Sequence, residues 1–166
     1  LIGSDPELLL LNSSGRVVGA ENYISDGTHT REIGLDGLRT VMEIRPKPAY
    51  TSIEHINNVR SLIKQINAEL ANNDEVVSVV VKPRVQDYTV GGHIILDVNQ
   101  GNTEQYQTSI DEHYYFVQSI LSPVVMKIEG KDGQKRRQNH RPSGQYGLID
   151  DVRCDTIKRF IICNTC

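Results

Sequence analysis

Asp36-Gly-Leu-Arg-Thr-Val-Met-Glu-Ile-Arg-Pro-Lys-Pro48 reads as a strand that begins at a turn and stops at two prolines. Alternation sets Val41, Glu43 and Arg45 on one face, with Met42 and Ile44 on the other. Glu43 and Arg45 are then neighbours where the strand stops. A carboxylate and a guanidinium on one face can hold a cation and a phosphate together. They can also simply neutralise each other, as a cross-strand ion pair on a wet face does. The stretches on either side bear on which of these applies.

Toward the N-terminus lies Gly3-Ser-Asp-Pro-Glu7, followed by the run Leu8 to Leu11. The leucines suit a strand bounded by the turn Asn12-Ser-Ser-Gly15, with Arg16-Val-Val18 returning as its hairpin partner. Glu7 shares a face with Leu9 and Leu11. A charge among leucines is costly unless it is paired, binds a metal or reaches water at the strand end. Residues 19–35 read as loop, punctuated by Gly19, Asn22, Ser25, Asp26, Gly27 and Gly34. Asp26-Gly27-Thr28 suits a turn near a ligand or an ordinary surface loop.

Beyond Pro48, Thr51 with Glu54 three residues on makes a capping box. Ile53, Ile56, Val59, Ile63, Ile66 and Leu70 recur at helical spacing, which predicts a helix with one face on a sheet. His55 on it is expected to be solvated, and Asn72-Asn-Asp74 to end it. Val76 to Val81 reads as a buried strand from its β-branched content, ending before Pro83. Tyr88 to Val98 reads as another, with Gly91 and Gly92 inside it. Glycine weakens a strand unless something approaches the backbone closely. His93, Ile95 and Asp97 share a face of it.

A second helix is predicted from about Glu104 to Leu121, with a stripe of Tyr106, Ile110, Tyr114, Val117 and Leu121, and Pro123 after it. The segment Lys127 to Arg141 carries Lys127, Lys131, Lys135, Arg136, Arg137 and Arg141 around Gly130 and Gly133. A basic loop bearing glycines can cradle phosphates, with Lys135, Arg136 and Arg137 as its candidate phosphate-binding cations. A solvated charged loop is the plain alternative. Arg141 and Arg153 flank the pair Tyr146-Gly147.

The 166 residues form one domain, 1–166, with 38% hydrophobic and 23% charged residues, which excludes a disordered chain. A formal net charge of −3 argues against general nucleic-acid binding. No long apolar run predicts a membrane helix or membrane partner, and no signal peptide is visible, although the chain starts at Leu1. Three cysteines, Cys154, Cys163 and Cys166, suit a reducing, cytoplasmic compartment better than a disulfide framework. Cys163-Asn-Thr-Cys166 has the spacing of half a zinc site with no second half, and reads as an incidental tail.

Four of these stretches, in this order, resemble the phage-type (phiEco32-like) carboxylate-amine ligases, amidoligases with a glutamine-synthetase-like fold. They are Gly3-Ser-Asp-Pro-Glu7, Asp36-Gly with Met42-Glu43-Ile-Arg45-Pro46, Gly91-Gly92-His93-Ile94, and Arg141 with Tyr146-Gly147 and Arg153. The resemblance implies an α+β fold, with a mostly antiparallel sheet and helices packed on one face. It also implies ATP and Mg2+ as cofactors, an acyl-phosphate intermediate, and small-molecule or peptide carboxylate and amine substrates. By position, Glu7, Glu43 and His93 would be metal ligands, with Asp5 a further candidate. Arg45, Arg141 and Arg153 would contact phosphate or substrate carboxylate. Such a site would sit in the host cytoplasm if the chain is phage-encoded.

The sequence departs from the family pattern in three places. The second histidine of Gly-Gly-His-x-His falls on Ile95, a glycine expected after Tyr-Gly falls on Asp150, and the closing Glu-x-Arg strand is absent. The part from about 155 is therefore atypical, which fits a domain incomplete at the C-terminus, with weak nucleotide binding and slow or absent ligation. The alternative is a degenerate, non-catalytic relative that binds a nucleotide or partner. A metal hydrolase using Glu7, Glu43 and His93 is a third possibility, without a motif for its general base.

Overall fold

A computed structural model describes residues 1–24, 32–82 and 84–97, and beyond them only 112, 115–121, 123–124, 127, 131, 152–155 and 160–165. Eleven strands are seen among these: β1 (Ile2–Ser4), β2 (Glu7–Asn12), β3 (Val17–Val18), β4 (Ile33–Leu35), β5 (Met42–Ile44), β6 (Val76–Val80), β7 (Arg84–Val85), β8 (Tyr88–Thr89), β9 (Gly92–Asp97), β10 (Val152–Asp155) and β11 (Phe160–Thr165). One long helix, α1 (Ser52–Leu70), lies between β5 and β6. The fold is α+β with antiparallel pairing throughout the described strands.

The strands form two sheets and a hairpin rather than one sheet. In the first sheet the order is β1-β9-β11-β10; in the second it is β3-β2-β5-β4, with β6 also paired to β2. β7 and β8 make the hairpin. The two sheets meet at the junction Asp5-Pro6, where the chain passes from β1 to β2. There the Glu7 N–H donates to the Gly91 carbonyl at 2.9 Å and the Asp5 N–H to the His93 carbonyl at 3.3 Å.

Side-chain alternation in β2 and β5 divides the interior as the sequence predicts. Leu8, Leu10, Met42 and Ile44 share one cluster with Leu62, Ile66 and Leu70 of α1. Leu9 and Val41 face the other way and pack with Val90. The first cluster is the main core, and burying its large side chains supplies most of the driving force for docking α1. The helix begins as expected: Thr51 Oγ1 accepts from the Glu54 N–H at 3.2 Å. The return bond of the box is displaced by one residue, since Glu54 Oε2 accepts from the Tyr50 N–H at 3.2 Å.

Several expectations need correction. Ile53 and Ile56 are 71% and 47% exposed, so the buried face of α1 is not the stripe that starts at Ile53. His55 is buried instead of solvated. It stands in phase with Val59, Leu62, Ile66 and Leu70, at intervals of four, three, four and four residues, which is one helical face. Within 19–35, the sequence reads only loop, yet Ala20–Asn22 is a 3-10 turn and β4 pairs with β5. Tyr88 to Val98 is not one strand: it breaks at Val90-Gly91 into β8 and β9. Val81 is exposed, and Val76 is the one deeply buried side chain described in β6.

Gly92 explains the paired glycines. Its φ is +153°, and a Cβ there would sit 3.0 Å from both the Asp5 carbonyl oxygen and the Pro6 Cα. The close approach is the β1–β2 junction crossing the start of β9. Farther on, Val117–Leu121 is a π-helical turn, and Pro123, Val124, Lys127 and Lys131 are helical, so Pro123 does not end the helical stretch. The stripe from Tyr106 to Leu121, and Asp26-Gly27-Thr28, lie outside the described residues or side chains. Cys163 is not in a tail. It belongs to β11, an interior strand, with Ile94 of β9 on one side and Val152 of β10 on the other.

Candidate functional site

Glu7 and Glu43 stand directly opposite each other in the β2–β5 pair, on the face that carries Leu9 and Val41. Residues opposite in an antiparallel pair have Cβ atoms about 4.5–5.5 Å apart, so two like charges here repel. Each is anchored differently. Glu7 Oε2 accepts from the Gly91 N–H at 2.7 Å, so the glycine pair meets the carboxylate with its backbone. Glu43 takes a hydrogen bond from the Arg45 guanidinium, which also donates to the Leu35 carbonyl at 3.1 Å. Arg45 is thus drawn toward β4, and its own N–H donates to the Glu32 carbonyl at 2.7 Å.

His93, the third sequence-predicted ligand, is held by Asp5. Its Nδ1 lies 2.9 Å from both Asp5 carboxylate oxygens, and its peptide N–H donates to Asp5 Oδ1. Second-sphere carboxylates orient metal-binding histidines in this way. Asp5 therefore connects His93 of one sheet to the Glu7–Glu43 face of the other.

The electrostatics report crowding of negative charge. Burial pushes the Glu43 carboxyl up from 4.5 to about 7, against the Arg45 guanidinium, which pulls it down; Asp5 and Asp36 add further upward pressure. Burial raises Glu7 as well, opposed by the Gly91 N–H and by His93 and reinforced by Asp36 and Asp5. Asp36 was missed as a site residue. It follows β4 and was visible only as the first residue of the stretch that starts the central strand.

Beside these groups opens a cleft of about 680 Å3. Asp5, Glu43, Arg45 and Lys47 line it together with Ser4 and apolar walls from Pro46, Pro48 and Ile95. Glu32 also reaches it. Ile95 stands where the family pattern has a second histidine, so that wall is apolar here.

Among the described residues, no three His, Cys, Asp or Glu side chains converge closely enough to hold one ion between them. Glu7 and Glu43 supply two hard oxygen donors across one strand pair. That suits Mg2+, which keeps several water or phosphate oxygens and needs only one or two protein carboxylates. Lys135, Arg136, Arg137 and Arg141 lie outside the described residues. Arg153 is in β10, opposite Ile162 of β11, and its side chain is not described. No described helix is long and apolar enough to cross a membrane.

A search of curated proteins and one of solved structures found no match. The family model described as "Phage phiEco32-like COOH.NH2 ligase-type 2" matches residues 2–161, nearly the whole chain. With two acidic strands that bring Glu7 and Glu43 face to face beside a cleft, and a family model that matches residues 2–161, the chain belongs to the phage phiEco32-like COOH.NH2 ligase-type 2 family.

Proposed function

We propose that the protein joins a carboxylate to an amine at the expense of ATP, through an acyl phosphate, on a glutamine-synthetase-like catalytic face. The observation that carries this reading is the Glu7–Glu43 pair, two opposed carboxylates held above their usual protonation range beside an open cleft. Such a pair is relieved by a cation. Glu7 and Glu43 would hold Mg2+, which would supply positive charge to offset that of the phosphates.

The chain's own residues have distinct tasks in this scheme. Asp5 fixes the ring of His93 so that it faces the phosphate cluster in one orientation. Arg45 balances Glu43 before the ligand arrives and turns toward phosphate or carboxylate oxygens afterward. Arg141 and Arg153 take the charge that builds on the transferred phosphoryl group. Lys135, Arg136 and Arg137 cradle the remaining phosphates. The apolar walls of the cleft exclude water, which protects an acyl phosphate from hydrolysis until the amine attacks its carbonyl carbon and inorganic phosphate leaves. Acidic Asp5 and Glu32 at the cleft favour an approaching ammonium, and Lys47 a carboxylate.

Isothermal titration with ATP, with and without Mg2+, tests the first half of this scheme. Mg2+-dependent binding that is lost in Glu43→Gln and Glu7→Gln is expected. Binding that ignores both substitutions would place the nucleotide elsewhere.

A further inference from the structure

His55 is the one buried histidine among the described residues, and it belongs to no motif of the ligase family resemblance. It sits in the first turn and a half of α1, facing the core with Leu62 and Ile66. Its Nε2 lies 2.8 Å from Ser4 Oγ, while its Nδ1 is buried without a hydrogen-bond partner. Ser4 ends β1 next to Asp5 and lines the cleft. The contact joins the helix to the strand that leads into the site. A second tie runs beside it: Ile2 and Ala49 exchange backbone hydrogen bonds at 2.8 and 2.9 Å.

The orphaned Nδ1 decides which way the Ser4 bond runs. If the ring hydrogen were on Nδ1, a buried N–H would have no acceptor, the rarest kind of unmet polar group in a folded chain. With the hydrogen on Nε2, only a bare ring nitrogen goes unmet, and Nε2–H donates to Ser4 Oγ. The Ser4 hydroxyl then has its oxygen occupied as an acceptor and its O–H left to donate. Among the described residues Ser4 Oγ pairs with His55 alone. Its O–H therefore has its partner to find in the cleft, which Lys47, Arg45 and the apolar side chains of Pro46, Pro48 and Ile95 also line.

We propose that Ser4 is a substrate-binding residue that donates a hydrogen bond to a carboxylate oxygen of the ligase's acid substrate, and that His55 is the positioning residue that points its hydroxyl into the cleft. This rests on the carboxylate-amine ligase reading. A carboxylate on an aliphatic stem fits the mixture of cationic and apolar lining, where a bare phosphate would leave the apolar walls unused. The half-buried hydroxyl discriminates by hydrogen bonding, which rejects a ligand lacking the acceptor more strongly than apolar contact does. His55 has no carboxylate behind it, so the pair is built to orient an O–H rather than to strip its proton for nucleophilic attack.

Nuclear magnetic resonance of 15N-histidine-labelled protein tests both parts, with sodium butyrate and inorganic phosphate as separate probes. The His55 ring should show hydrogen on Nε2, and millimolar butyrate should shift its ring nitrogens while phosphate leaves them in place. Ser4→Ala should remove the response and weaken butyrate binding about tenfold or more, the loss of one hydrogen bond to a charged group. Ser4→Thr, which keeps the hydroxyl, should bind within a few-fold of wild type. His55→Gln, whose amide N–H can reach the same oxygen, should weaken butyrate less than His55→Leu does. A hydrogen on Nδ1, a phosphate response without a butyrate response, or equal butyrate affinity in Ser4→Ala would each overturn the assignment. Mg2+-ATP titration of the same samples separates the two claims. Nucleotide binding by wild type together with butyrate affinity unchanged in Ser4→Ala defeats this inference alone, whereas no nucleotide binding by wild type defeats the ligase reading beneath it.

Discussion

Replacing Glu43 with glutamine should make the protein more stable at neutral and alkaline pH while removing its use of Mg2+-ATP. The Glu43 carboxyl is raised from 4.5 to about 7, chiefly by burial. At about 1.4 kcal/mol per unit, ionising it in the folded state costs about 3 kcal/mol once the pH exceeds both values. The sign follows from proton binding. Between 4.5 and about 7 the folded state binds more protons than the unfolded one, so wild-type stability falls as pH rises through that window. Below it both states are protonated and the penalty vanishes. Glutamine cannot ionise, but its hydrogen bond with Arg45 is weaker than that of a carboxylate, so the net gain at about pH 8 should be near 2 kcal/mol. For a chain of this size that is a rise in Tm of roughly 4–8 °C. Urea unfolding at about pH 4 and about pH 8 would measure it. The two proteins should be nearly equal at the lower pH and diverge at the higher, and Mg2+ should narrow the gap by stabilising wild type alone. A flat wild-type profile, or a variant no more stable at the higher pH, would refute the claim that Glu43 is held at a cost for binding.

Three further outcomes follow from the same geometry. Gly92→Ala forces a Cβ to within 3.0 Å of the Asp5–Pro6 backbone at a φ of +153°, so urea unfolding should show a loss of about 1–3 kcal/mol, with nucleotide affinity also reduced because Asp5 and Glu7 move. Ile66→Ala empties a fully buried position between α1 and the second sheet and should cost about 2–5 kcal/mol by the same measurement, with Mg2+-ATP affinity intact wherever the protein remains folded. Asp5→Asn keeps the shape but removes the charge that fixes His93, so Mg2+-ATP should bind about tenfold or more weakly by titration, with Tm changed little.

The parts of the fold visible in the sequence are those set by local rules. Two prolines stopped the central strand, alternation divided Met42 and Ile44 from Glu43, and Thr51 capped α1. Glu7 was recognisable as a charge heading a leucine run. What was hidden depends on distant parts of the chain. β4 is three residues with Gly34 at its centre, and only pairing with β5 makes it a strand. The break before Gly92 exists because the β1–β2 junction crosses there. His55 looked polar and therefore wet, while Ile53 and Ile56 looked apolar and therefore buried. A count from Leu62 and Ile66 backward along the helix lands on His55, so the phase of the deepest residues was the better guide. Asp36 escaped because its role is electrostatic, acting on Glu7 and Glu43 through space.

The most direct test of the central claim is ADP release with Mg2+-ATP, a panel of carboxylates, and hydroxylamine as the attacking amine. Activation of a carboxylate as its acyl phosphate predicts ADP release that requires the acid, with hydroxamate formed in step and both products lost in Glu7→Gln and Glu43→Gln. ADP release that proceeds equally without any carboxylate, or none at all with saturating nucleotide bound, would contradict it.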